Sequence, residues 1–185
     1  MVPLSALWLP IVLSAVAVFV VSSIVHMVFK YHNKEYRKLP NEGTLLEATH
    51  TKKVTPGFYS FPHAAGTKDM GSEEMQAKFK RGPVGTMNIV QNGAPAMGKL
   101  LGLWFAYSLL VGFFAAYLAS RTLGPGTHYL AVFRIVGAST FMAYSFAHFS
   151  DAIWKQKPWT MSLKHVFDGL IYGLVTAGVF GWLWP

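Results

Sequence analysis

The sequence predicts an all-α membrane protein: four transmembrane helices, N-out and C-out, with a long cytoplasmic loop between helices one and two. Three observations carry this reading. Four apolar stretches have spanning length, the basic residues are distributed lopsidedly, and the tryptophans cluster at the ends of the stretches. The stretches run at about residues 4–29, 99–120, 129–154 and 165–184, with the cytoplasmic loop at 30–98. Each approaches or exceeds the roughly 20 apolar residues a helix needs to cross a hydrocarbon core about 30 Å thick. Of the 16 Lys and Arg residues, 14 lie in 30–99 or 155–164. Those two segments share one side if all four stretches span, and the positive-inside rule makes that side cytoplasmic. Trp8, Trp182 and Trp184 fall at the outer ends, and Trp104, Trp154 and Trp159 at or near the inner ends. Indole rings favour that headgroup boundary.

Composition agrees. Hydrophobic residues make up 52% of the chain and charged ones only 13%, against roughly 25% charged in soluble domains. The length fits a single integral membrane domain over 1–185, expected in a bacterial inner membrane. The net charge of +8 is explained by topology, so no nucleic-acid partner is expected; the partners are the bilayer and either a membrane protein or a second copy. Basic residues at a cytoplasmic leaflet would draw anionic lipid by about 1 kcal/mol each. The chain has no cysteine, which excludes disulfides, thiolate metal sites, Fe–S clusters and c-type haem attachment.

The first stretch exceeds the core of a cleavable signal peptide and has its basic residues after it, beginning at Lys30, so it is expected to remain as an anchor. Pro40, Pro56, Pro62, Pro83 and Pro95 cut the following polar segment into short pieces, which weighs against an independent domain. One helix is expected there. Ser72 is its N-cap, Glu73 and Glu74 lie in its first turn, Lys78, Lys80 and Arg81 in its last, and Gly82-Pro83 stops it. Met75 and Phe79 would share one face. The remainder, including the aromatic run 57–62, reads as ordered loop. Gly124-Pro125-Gly126 makes a short turn that sets helices two and three antiparallel, and the short 155–164 connection sets three beside four. No inverted repeat of the transporter kind is evident.

Membrane helices associate where small residues recur four apart, because lipid gives them no hydrophobic reason to pair. Helix four carries Gly169, Gly173, Ala177 and Gly181; helix two carries Ser108, Gly112, Ala116 and Ser120; helix three carries Ser139, Ala143 and Ala147. The stripes imply a tight bundle packed within the chain, with a dimer face as the other reading.

The stripes lead to a polar cluster at the cytoplasmic helix ends: His26, His148, Asp151, His165 and Asp168. The spacing His-x-x-Asp occurs twice, at His148/Asp151 and His165/Asp168. Ionisable groups at membrane depth are costly and mark functional candidates. The plainest reading pairs Asp151 with Lys155 and Asp168 with Lys164. The others are a proton-labile or substrate-facing site, a divalent metal held by imidazoles and carboxylates, and b-type haem between His26 and His148. A metal needs three or four of these groups to converge, so its identity is unknown at this level. No catalytic residue stands out: H-E-x-x-H, G-x-S-x-G and phosphate-binding loops are all absent.

The run from Ala152 through Trp154-Lys155-Gln156-Lys157-Pro158-Trp159, followed by a glycine-bearing last helix, resembles uncharacterised small four-helix bacterial membrane proteins. The His26-bearing first helix, Tyr31-His32 and Leu39-Pro40 share that pattern. The resemblance implies fold and membrane, not an activity or a cofactor. From sequence the expectation is therefore a non-enzymatic accessory or packing subunit with no cofactor. The alternative is a small transporter or a metal or haem redox protein using the polar cluster.

Overall fold

In hydrocarbon a backbone has no partner but itself, so apolar runs of this length fold as helices. The computed structural model describes residues 1–185, of which 70% are helical. A turn of 3₁₀ helix, Leu4–Leu7, leads into α1 (Trp8–Ile24) and a π-helical turn, Val25–Phe29. A second 3₁₀ turn, Tyr31–Lys34, follows. Then come α2 (Glu42–Thr51), β1 (Gly57–Phe61), α3 (Thr67–Met70), α4 (Glu73–Arg81) and β2 (Gly85–Ile89). The chain ends with α5 (Met97–Thr122), α6 (Tyr129–Trp154) and α7 (Trp159–Trp182). Four helices are long and apolar enough to cross a membrane: Leu4–Phe29, α5, α6 and α7.

One boundary differs from expectation. The last span starts at Trp159, not at 165, so the connection from α6 is only residues 155–158. Lys164 reads as the end of the connection because it is polar. A helix nevertheless tolerates a lysine where it faces other groups instead of lipid, and Pro158 (φ −53°, ψ 128°) supplies the start.

Met1–Tyr36 and Ala96–Pro185 form one compact unit, and Arg37–Pro95 a second. In the first, α1 packs on α5 and α7, α5 on α6, and α6 most extensively on α7. Glycines decide how close the helices come. A Cβ added at Gly112 would stand 3.4 Å from Ser14 Oγ of α1, and one at Gly173 would stand 3.1 Å from the Phe141 nitrogen of α6. Gly169 abuts the Tyr144 backbone and Gly181 the Tyr129 ring. Ser108, Ala116 and Ala177 are buried as well. The stripe expected on helix three is not used this way: Ser139 is half-buried, and Ala143 and Ala147 are exposed. Its larger residues Phe141 and Tyr144 meet the glycines of α7 instead, since a close approach needs small residues on only one partner.

Each end of the bundle is tied. At one, the Gly126 N–H donates to Pro185 O (2.7 Å) and Trp184 Nε1 to Gly124 O (2.9 Å), beside a core containing Val2, Leu7, Ala119 and Phe180. Toward the other, Trp104 Nε1 of α5 donates to Ser22 Oγ of α1 (2.9 Å).

The second unit has more structure than the loop expected. β1 and β2 pair antiparallel, Gly57 opposite Ile89 and Phe61 opposite Gly85. Aromatic and β-branched residues suit that pairing. The helix anticipated over 73–81 forms, with Ser72 Oγ accepting from the Met75 N–H (3.2 Å). Met75 is buried. Glu74 accepts a hydrogen bond from Lys78 (2.7 Å) and so holds that ammonium above its ordinary pKa.

Candidate metal centre

The end of α1 builds half of the site. Its last turn widens to π-helix, and Lys30 then takes a left-handed conformation (φ 52°) that reverses the chain. The turn after it returns His32 onto His26, the two rings lying 4.7 Å apart and within 4° of parallel. His165 of α7 stacks on His32 at 4.9 Å, and His148 of α6 stacks on His165 at 4.9 Å. Four imidazoles therefore form one pile in the order His26, His32, His165, His148.

Two buried carboxylates flank the middle of the pile. Glu35, its side chain 4% exposed, accepts a hydrogen bond from His32 Nδ1 (2.6 Å) and lies 3.4 Å from His165 Nε2. Lys164 Nζ stands 3.7 Å from Glu35 Oε1 and donates to Tyr31 O (2.7 Å). Glu35 is thus well supplied with donors and positive charge.

Asp168 is not. Its side chain is 3% exposed, and neither oxygen has a hydrogen-bond partner. His32 Nε2 comes within 2.8 Å of Oδ2, yet the alignment is not that of a hydrogen bond and the nitrogen is itself unpartnered. A neutral His32 with its proton on Nδ1, toward Glu35, would present the Nε2 lone pair to the carboxylate. Two bases at this distance need a cation, either a proton on Nε2 or a metal ion beside them.

His26 is oriented in the same sense. Its Nδ1 lies 2.9 Å from Ser22 O and must donate to it, so in the neutral ring the free lone pair is on Nε2. Metal-bound histidines are commonly held this way, the outer nitrogen fixed by a carbonyl or carboxylate. Donor atoms of His26, His32 and Asp168 lie within 4.8 Å of one another, and the same holds for His32, Glu35 and His165.

No family model, curated protein or solved structure matches the chain. The chemistry of the site therefore rests on its own residues.

Of the residues singled out from sequence, His26, His148, His165 and Asp168 come together here. Asp151 does not join them: it faces Lys155 (2.7 Å) and Lys157 (2.6 Å). Asp168 in turn is not held by Lys164, whose ammonium goes to Tyr31 and Glu35. His26 and His148, the pair considered for haem, stand at opposite ends of the pile with two imidazoles between them. His32 and Glu35 are the residues the sequence reading passed over. Their spacing, His-x-x-Glu, repeats the His-x-x-Asp of α6 and α7, and that third copy was the available signal.

Proposed function

We propose that this chain is a membrane metalloprotein whose centre, formed by His26, His32 and Asp168, binds one divalent ion of the iron or zinc kind at the cytoplasmic end of the bundle. Of the two readings the sequence offers, this favours the metal protein over the accessory subunit. The observation that carries it is Asp168: a buried carboxylate with no hydrogen bond to either oxygen, 2.8 Å from Nε2 of an imidazole whose Nδ1 faces Glu35. Leaving buried polar groups so costs about 1–3 kcal/mol each, more when charged, and a bound cation removes that cost.

Two imidazoles and one carboxylate are ligands that both Fe(II) and Zn(II) accept, and three protein ligands leave room for water or a small substrate. That is the pattern of a centre that performs chemistry or passes a metal on, not of a closed structural site. The bias of basic residues supports a cytoplasmic-side position for it, in what we read as a bacterial inner membrane.

Protein purified in mild detergent and loaded with Zn(II), or with Fe(II) without oxygen, should retain about one ion per chain after desalting. Asp168→Asn and His32→Gln should lose it, while Asp151→Asn keeps it. Wild-type protein that retains neither ion would overturn the proposal.

A further inference from the structure

The pile has two carboxylate poles, and only one of them is short of positive charge. His32 presents both nitrogens to carboxylates: Nε2 to Asp168 at 2.8 Å and Nδ1 to Glu35 at 2.6 Å. His165 does the same more loosely, with Nδ1 3.9 Å from Asp168 and Nε2 3.4 Å from Glu35. The pole at Glu35 therefore has a donor set of its own, His32, Glu35 and His165, close enough together to hold a cation. What distinguishes it is Lys164. Its ammonium is fixed near Glu35 by a hydrogen bond to Tyr31 O and lies 5.9 Å from the centre of the Tyr31 ring.

We infer that the Glu35 pole is a latent second metal site, and that Lys164 stands in for the ion and keeps the centre mononuclear. The inference rests on the metal centre proposed at Asp168. An ammonium beside Glu35 supplies the charge that pole needs and repels a divalent ion from the same oxygens. The second ion would be held by His32, Glu35 and His165.

Lys164→Met removes the charge and keeps the length of the side chain. Wild-type protein titrated with Cu(II) or Zn(II) should saturate at about one ion per chain, Lys164→Met at about two, and Lys164→Arg, which keeps the charge, at about one. With Cu(II), the electron paramagnetic resonance signal of the isolated ion should be full in wild type and largely lost in Lys164→Met, as two ions this close would couple. Adding Glu35→Gln to Lys164→Met should restore one ion and the full signal. Lys164→Gln replaces Lys164→Met should the latter fail to give a folded, monodisperse protein.

Two ions in wild type, or one in Lys164→Met, overturns the role of Lys164 while leaving the first centre standing. A wild type that takes up none overturns both.

Discussion

Asp168 and Asp151 lie in His-x-x-Asp spacings on neighbouring helices and have opposite fates. Asp151 is reached by two lysines at the α6–α7 connection, where ion pairs contribute about 0–1 kcal/mol. Asp168 is buried with no hydrogen-bond partner, and what faces it is the His32 imidazole rather than a lysine. Asp151→Asn should therefore shift the thermal midpoint little and leave metal content unchanged. Asp168→Asn should behave differently with and without metal. In metal-free protein it removes a buried carboxylate that makes no hydrogen bond, so stability should stay level or rise. With metal, only wild type should gain, by about 2.7 kcal/mol at an ion concentration 100 times the dissociation constant. Melting curves of both proteins, each with chelator and with Zn(II), check this; equal metal-induced gains would sink Asp168 as a ligand. Because imidazoles bind metal only when unprotonated, wild-type affinity should also fall from about pH 7 to about pH 5.

Two local devices position these side chains, and they differ in how visible they are beforehand. The α6–α7 contact rests on glycines four apart, a pattern read from sequence alone. Gly173→Leu should push α7 off the Phe141 backbone and lower the melting temperature in detergent, while Leu174→Ile, on an exposed position, should change it little. The turn that carries His32 and Glu35 was not legible. It depends on a widened last turn of α1 and a left-handed lysine, and nothing in the residues around Lys30 announces either. A left-handed backbone suits glycine and penalises β-branched side chains. Lys30→Gly should therefore keep metal affinity, whereas Lys30→Ile should weaken it at least tenfold by displacing His32 and Glu35; equilibrium metal titration separates the two. The strands β1 and β2 escaped notice for a related reason. Long-range pairing across two intervening helices leaves no turn signature between strands, whereas the Ser72 cap and the spans are local patterns in sequence.

Across the chain as a whole, the spans were legible because lipid exposure demands an unbroken apolar run, and because charge and tryptophan mark its ends. Convergence of the site was not, since it depends on which helix faces which. The same molecule joins both facts in one arrangement. Its C-terminus is tied to the 124–126 turn at one end, and the histidine pile lies toward the end where the Arg37–Pro95 unit is attached through Tyr36 and Ala96. Because 14 of 16 basic residues lie in the two segments joined to that second end, the positive-inside rule predicts that it faces the cytoplasm. Tags on either terminus should then be labelled by a membrane-impermeant reagent in intact spheroplasts, and a tag near Gly71 only after lysis. The metal centre should follow the Gly71 tag. In sealed spheroplasts an impermeant chelator should leave the bound ion in place, and in inverted vesicles it should strip it. A C-terminus protected in spheroplasts would reverse the orientation, and with it the side from which the ion is supplied.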